Sequence, residues 1–471
     1  GGMIAPASHI SPPFPSQKSI NLPADGSLYS AMSSVGGHVG SIRRTFGSQK
    51  LLKTENIWLL SPQFAGASII PASEKYKEEI YFFFTEFNKT ARVDEEPYRA
   101  RIGRICTVDE GGIKALLADS WTTFMKARVM CGAGNTQQQY NNMKQAVVLT
   151  AQDKRAGVMY GLFSNAWGRT VVCAYSIEDI DRAFSNSKLK GYSSSFSGNR
   201  PGMVRKFNNI KNLGVIRYYP EIEDVIRPVG VNPLDLPTDD QITHAVADIV
   251  LAVNDEHYTV LYLGTDQGKV LKVLHTIQDV FIISQYSLFH NEGPVLNMAI
   301  DSQKGHLYVG TAMEVQRLPL ADCRRYGHTC RECILSRDPY CGWDKARRKC
   351  IAIPPGYNLR QTSPREIVVK GRNTTVFLPC PVHSFHATYR WEKDNCKMNY
   401  PCLFSGDFCV LGPVVNTPLK EGVFRCMATE DGFKVEVVSF RLVNDGRLIS
   451  ASFASTLGLS ALLAGVTLWL H

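Results

Sequence analysis

Apolar runs of four or five residues, bounded by turn residues, mark much of the chain as a series of strands. Ile80-Tyr-Phe-Phe-Phe84 and Val158-Met-Tyr-Gly-Leu162 read as buried strands, and each is followed by a second strand, in "RIGRICTV" and in "VVCAYS". Two later segments repeat one another 46 residues apart: Leu261-Tyr-Leu-Gly-Thr265 leads into "DQGKVLKV", and Leu307-Tyr-Val-Gly-Thr311 leads into "AMEVQRLPL". A four-strand unit recurring at a spacing in the forties is the signature of a β-propeller blade. An unrelated β-sandwich leaves the repeated Leu-Tyr-x-Gly-Thr unexplained.

Further along, residues 364–443 alternate in short strands: "EIVVKG", "TTVFLPC", "ATYRWEK", "GVFRCMA" and "VEVVSFRL". Within them Cys380, Trp391 and Cys426 stand in the order expected of an immunoglobulin-like sandwich, where two cysteines bridge the sheets and the tryptophan packs on the bridge. Phe424 takes the place of the usual tyrosine two residues before the second cysteine, so the tyrosine corner is lost. Residues 1–50 are rich in Pro, Ser and Gly and read as a loose segment. The predicted fold is all-β: a partial propeller over 51–322, a small cysteine-rich module over 323–352, the sandwich over 364–443 and a tail over 444–471.

Composition changes this picture little. A chain of 471 residues with 44% hydrophobic and 20% charged content has room for two or three domains and a large core. Its net charge of +9 is mildly basic. The densest basic run, Lys345-Ala-Arg-Arg-Lys349, carries enough charge to meet acidic glycans, although a solvated surface explains it more simply. Nothing interleaves basic with aromatic residues as a nucleic-acid groove does, so no nucleic-acid partner is expected.

The tail is more telling. Residues 451–470, "ASFASTLGLSALLAGVTLWL", carry no charge. The strongly apolar part, Leu457 to Leu470, would rise only about 21 Å as a helix, short of a bilayer core of about 30 Å. No Lys or Arg follows it. Small residues at Asn444-Asp445-Gly446, a spacer and an apolar end are the layout of a GPI-anchor signal, with Asn444 the preferred attachment site and Asp445 or Gly446 the alternatives. A transmembrane helix is the competing reading. No signal peptide is visible behind the Gly-Gly-Met start.

Thirteen cysteines fit disulfides in an exported chain better than metal or redox chemistry. Cys330-x-x-Cys333 is the one Cys-x-x-Cys and has no second pair at zinc-finger spacing. Sequons at Asn88 and Asn373 agree with export and predict glycans there. His383 and His386 read as surface residues rather than metal ligands, and Asp239, Asp240 and Asp248 as a solvated loop lacking the calcium-loop order. No Gly-x-Ser-x-Gly, His-Glu-x-x-His or phosphate loop occurs, so neither catalysis nor a cofactor is expected.

A propeller, a cysteine-rich module and an immunoglobulin-like domain in that order resemble the semaphorins. "SRDPYCGWD" is similar to the signature of the plexin–semaphorin–integrin (PSI) module, and "SWTTFMKARVMC" (120–131) and "YGLFSNAWGRTVVCAYS" (160–176) are similar to the middle of the sema propeller. The ending "LLAGVTLWLH" and "HATYRW" resemble the GPI-anchored class of the family. The resemblance implies disulfides Cys131–Cys173, Cys323–Cys341 and Cys333–Cys350, beside the Cys380–Cys426 core bridge. The usual partner of Cys330 falls between the module and the last domain, where this chain has no cysteine. Cys330 is therefore left to a spare cysteine of that domain. Cys409 is expected to bond Cys402 or Cys396 and leave the other over. Cys106 is expected to be unpaired, because Val204 stands where the family has its partner.

A sema propeller has seven blades, and about 270 residues carry the match ahead of Cys323, so the first two or so blades and the leader are expected to be missing. By resemblance the chain is a cell-surface ligand of a C-type plexin, working as a homodimer in axon guidance, cell migration and immune regulation. An incomplete propeller leaves an open alternative, an anchored fragment that does not engage receptor. Family geometry puts the plexin surface on loops of the central blades, around residues 131–170. The family's GPI-anchored class is also linked to integrins. Cys106 is followed by Thr107-Val108-Asp109, and Arg-Gly-Asp occurs nowhere, so integrin binding through that tripeptide is not supported.

Overall fold

Strand formation begins well before residue 51. Asp25-Gly26 is a two-residue turn in which both backbones are left-handed (φ 45° and 68°), a geometry that Asp-Gly adopts at little cost. It joins β1 (Ser19–Ala24) to β2 (Ser27–Met32), and β3 (Ser41–Phe46) and β4 (Leu52–Lys53) complete a four-stranded sheet in chain order. The loose segment expected over 1–50 is corrected accordingly. Its apolar alternation is masked because polar side chains take buried positions: Ser30 is fully buried, and its hydroxyl donates at 2.7 Å to Oδ1 of the exposed Asn21. The computed structural model of the chain describes residues 10–12, 14, 16–71, 78–89, 97–132, 140–150, 157–194, 200–203, 210–230, 232–254, 256–276, 279–289, 293–345, 347–353, 365–369, 376–382, 387–394, 399–405, 408–412, 419–430 and 433–444. They divide between two units, Gly1–Gly356 and Tyr357–His471.

The second sheet holds β5 (Gln63–Ile70), β6 (Glu79–Phe87), β7 (Tyr98–Cys106) and β8 (Met125–Val129). Ile80–Phe84 of β6 is buried throughout, which explains a continuous apolar run where a one-faced strand would alternate. A third sheet takes β9 (Asn142–Leu149), β10 (Val158–Ser164) and β11 (Thr170–Ser176). The chain then leaves the sheets through two helices that the strand pattern did not predict, α1 (Ile177–Asn186) and α2 (Ile210–Tyr218). The signals for α1 are legible in retrospect. Ser176 caps it by accepting from Asp179 N, Glu178 and Asp179 fill its first turn, and Ile177, Ile180 and Phe184 are its buried face. The chain returns as β12 (Glu221–Ile226), which pairs in parallel with β8.

The fourth sheet is β13 (Ile242–Leu251), β14 (His257–Thr265), β15 (Lys269–His275) and β16 (Val280–Ser287), and the fifth is β17 (Asn297–Asp301), β18 (His306–Gly310) and β19 (Val315–Pro319). The first strand of each sheet lies against the first strand of the next, from β1 through β5, β9 and β13 to β17. That is the inner ring of a propeller, each sheet a blade. The two repeats are β14 and β18, the second strands of adjacent blades, and in each the closing threonine hydroxyl accepts from the backbone of the turn that follows, although the two turns differ in length. Thr265 Oγ1 accepts from the backbone N–H of Gln267 and Lys269, and Thr311 Oγ1 from those of Met313 and Glu314. Gly264 is required by packing, since a Cβ there would lie 2.6 Å from Val295 Cγ1.

After the blades come a 3-10 turn at Cys323–Arg325, the short α3 (Cys330–Leu335) and a hairpin of β20 (Cys341–Asp344) and β21 (Lys349–Ala352). Four buried half-cystines are the core of this module.

The second unit is a sandwich. Its strands are β22 (Arg365–Val369), β23 (Leu378–Pro381), β24 (Thr388–Lys393), β25 (Asn399–Tyr400), β26 (Leu403–Ser405), β27 (Phe408–Leu411), β28 (Gly422–Glu430) and β29 (Phe433–Asn444). One sheet has the order β22-β29-β28-β24-β25, the other β23-β27-β26. Cys380 on β23 bonds Cys426 on β28 across the two sheets, and Trp391 on β24 is fully buried directly opposite Cys426. Phe424 is buried as well, with the Lys393 ammonium 5.2 Å above its ring, so an apolar and cation–π contact stands where a tyrosine hydroxyl would bond.

Candidate receptor interface

The turn between β10 and β11 is built to hold its shape. Asn165 Oδ1 accepts from the backbone N–H of Trp167 (3.0 Å) and of Arg169 (2.9 Å), an Asx turn, and Gly168 supplies the left-handed backbone (φ 82°). The side chain it presents, Trp167, is 93% exposed. Tryptophan on a stiff turn loses little entropy on binding and offers a large contact area, the usual anchor of a protein interface. By propeller geometry the turns joining second and third strands lie on one face of the ring. Met313, 87% exposed between β18 and β19, shares that face with Trp167. Within 131–170, residues 133–139 and 151–156 lie outside the described residues.

Within the second sheet the strands are tied to one another by buried charge. Glu86 on β6 accepts from Arg101 Nε (2.7 Å) and from Lys126 Nζ (2.7 and 2.9 Å). Arg101 also reaches Glu221 on β12 with both terminal nitrogens, at 2.9 and 3.3 Å, and Lys190 pairs with Glu221 from outside. Burial pushes the Lys126 ammonium below its usual range, and the Glu86 carboxylate opposes that push. At Glu221 burial alone would raise the carboxyl; Arg101, helped by Lys190 and Lys126, overcomes it and holds the group below its usual range.

A second lock joins the cysteine-rich module to the fourth blade. Lys272 on β15 is fully buried and meets Asp338 Oδ2 at 2.5 Å and the Leu320 carbonyl at 2.7 Å. Its ammonium lies 4.6 Å from the Tyr340 ring centroid. Tyr326 donates to Asp338 (2.6 Å), and Tyr340 donates to Asp248 (2.6 Å), which also accepts from Ser302. Asp248 is therefore committed, as is Asp240, which pairs with Lys269 at 3.0 Å. Among the described residues no group of three His, Cys, Asp or Glu is placed to hold a metal ion.

Among the described residues five disulfides close: Cys131–Cys173, Cys323–Cys341, Cys333–Cys350, Cys380–Cys426 and Cys402–Cys409. Cys402 is thus the partner given to Cys409, while Cys396 lies outside the described residues. Cys330 is exposed at the start of α3. Cys106 is a buried free thiol at the end of β7, and burial pushes it up to about 12. At neutral pH its thiolate is negligible. The folded chain is expected to leave Cys106 unmodified by a maleimide that labels it once denatured. Peptide mapping checks this, and equal labelling in the two states would refute it.

At the Asn88 sequon the residue is only 6% exposed and its backbone N–H is tied to the Pro97 carbonyl, whereas a glycan on the side-chain amide needs solvent around it. Glycopeptide mass spectrometry is expected to find Asn88 unmodified, and an occupied site would show that the turn opens. Asn373, His383 and His386 lie outside the described residues, as does the tail beyond Asn444, the last residue of β29. No helix among the described residues is long and apolar enough to cross a membrane.

Three family models match consecutive stretches: the Sema domain over residues 143–302, the plexin repeat over 322–367 and the semaphorin-3/4/7A immunoglobulin-like domain over 362–449. Among curated proteins, Semaphorin-7A of Mus musculus is 31% identical over 470 residues, which covers 93% of this chain and 70% of that protein. Semaphorin-7A of Homo sapiens is 29% identical over 505 residues, covering 100% of this chain and 74% of that protein. Among solved structures, Drosophila Semaphorin 2a superposes with a TM-score of 0.58 at 24% identity, over 92% of this chain and 76% of that one. A chain from Drosophila Plexin A in complex with Semaphorin 1b gives 0.58 at 24% identity, over 71% and 69%. At such identities the structural likeness speaks for the fold alone.

Proposed function

The chain belongs to the semaphorin family, and from that premise we propose that it is an extracellular ligand that signals by binding a plexin. The observation that carries this reading is the unbroken succession of Sema, plexin-repeat and semaphorin immunoglobulin-like matches, on a propeller with a stiff, exposed tryptophan turn. The work is recognition without chemistry. A homodimer gathers two receptors, and the second contact forms at high effective concentration. A GPI anchor at Asn444 would hold the ligand on the outer face of the plasma membrane, as the tail's layout suggests. The outcomes would be axon guidance, cell migration and immune regulation. Integrin engagement stands apart from this reading, because the chain has no Arg-Gly-Asp.

The test is direct. The chain is expressed behind a signal peptide in mammalian cells and surface protein is measured before and after phosphatidylinositol-specific phospholipase C. Release supports the lipid anchor, and resistance favours a membrane-spanning tail. The released protein is then titrated against soluble plexin ectodomains. Trp167→Ser is expected to weaken binding by about 30-fold, the effect of losing an interface anchor. Unchanged affinity would remove this turn from the interface, and no binding by the parent chain would overturn the ligand reading.

A further inference from the structure

We propose that the cysteine-rich module, through the basic side chains of the β20–β21 hairpin and of α3, binds linear sulfated glycans. Residues 322–352 hold eight Lys and Arg against four Asp and Glu, a large part of the chain's excess of +9 in a small fraction of its length. The acidic four are spent locally. Asp338 is buried against Lys272, and Glu332 turns back to accept from the His328 and Thr329 backbones and the Thr329 hydroxyl as a helix cap. Asp344 accepts from the Arg347 backbone and lies 3.5 Å from its guanidinium, and Asp322 pairs with Arg325. Arg324, Arg331, Arg348 and Lys349 are exposed and make no ion pair with any described residue.

The disulfides gather these charges. Cys333–Cys350, with Cα atoms 5.5 Å apart, sets Arg331 two residues from one half-cystine and Lys349 next to the other. Their Cα atoms are then no more than about 17 Å apart, and the hairpin turn extends the row past Lys349 to Lys345. Arg348 adds an independent sign. Its backbone is left-handed (φ 48°), a conformation that glycine or asparagine adopts more cheaply. An arginine kept at such a turn position gives up stability for what the side chain can reach.

Partner chemistry follows from what the patch lacks as well as what it has. Lys345-Ala-Arg-Arg-Lys349 contains no aromatic or long apolar side chain to enter a bilayer or fill a protein pocket. Guanidinium groups bond tetrahedral oxyanions in a bidentate fork, and a row of them suits a linear polyanion, whose released counterions drive binding. The inference stands whether or not the chain binds a plexin.

The experiment uses the full secreted chain and heparin as the probe, with affinity measured across a range of salt. Neutralising Arg331, Lys345, Arg347, Arg348 and Lys349 together to Ser is expected to weaken heparin binding at physiological salt by on the order of 30-fold and to flatten the salt dependence. A control with Lys53, Lys114, Arg182, Lys304 and Lys420 changed to Ser has the same net charge and is expected to bind as the parent does. Arg348→Gly alone relieves the backbone, so it is expected to raise thermal stability while weakening heparin binding, which separates charge from misfolding. Equal affinity for the parent and the module variant would overturn the proposal, as would equal loss in the control. Tighter binding to phosphatidylserine vesicles than to heparin, through the same residues, would also overturn it in favour of a lipid surface.

Discussion

Asp338→Ala is expected to unfold or detach the cysteine-rich module, because it strands a fully buried ammonium. Lys272 would keep the Leu320 carbonyl and the ring of Tyr340 but no countercharge. Breaking one side of such a pair costs about 3–5 kcal/mol, a large share of the stability of an ordinary domain. The converse change should be milder. In Lys272→Met the Asp338 carboxylate still accepts from the Tyr326 hydroxyl and the Tyr340 N–H, so about 1–3 kcal/mol is expected. Combining Lys272→Met with Asp338→Ala removes both charges and should recover much of the loss. Export from mammalian cells and thermal unfolding of the secreted protein read all three. The order expected is parent, Lys272→Met, double variant close to it, and Asp338→Ala last. A double variant no better than Asp338→Ala would mean that the pair is not the lock.

This lock illustrates which parts of the fold were legible in the sequence. Lys272 lies in "KVLKVLH", where a lysine among alternating apolar residues reads as the solvent face of a strand, and its partner is 66 residues away. No local pattern announces that pairing. Glu86, Arg101 and Lys126 are hidden in the same way, each in a strand and each paired with an opposite charge on another strand. What local pattern does carry is geometry that leaves few alternatives. Cys380, Trp391 and Cys426 must meet in a sandwich of this kind, and the Leu-Tyr-x-Gly-Thr repeat ends in a threonine whose hydroxyl accepts from the backbone of the following turn in both blades. The first fifty residues hide their strands for the opposite reason. Asp25-Gly26 is a plain hairpin signal, but polar Ser30, fully buried and bonded to the exposed Asn21, breaks the apolar alternation expected around it. Of the candidate interface, the stretch around residues 131–170 came from family geometry. The exposed Trp167 came from the Asx turn, whose Asn165 and Gly168 stand in "SNAWGR" for anyone reading turn chemistry.

Glu86→Met is the second change expected to have a large effect, and it bears on the helical excursion rather than the module. The carboxylate serves two buried cations, Arg101 and Lys126, whose side chains are 5% and 7% exposed. Removing it leaves Lys126 with the Trp58 carbonyl at 2.9 Å and Arg101 with Glu221. One uncompensated buried charge again implies about 3–5 kcal/mol. Arg101 and Glu221 are also the bond between β7 and β12, the strand on which the chain returns after α1 and α2. Crowding two cations without their shared anion therefore loosens the parallel β8–β12 edge first. Hydrogen exchange should show this as faster exchange at the N–H groups of Lys126 and Met130, which bond the Pro220 and Ile226 carbonyls across that edge. Adding Lys126→Met to Glu86→Met removes the stranded charge and is expected to restore slow exchange there, leaving Arg101 paired with Glu221. If the double variant exchanges as fast as Glu86→Met, packing around residue 86 and not the charge holds the returning strand in place.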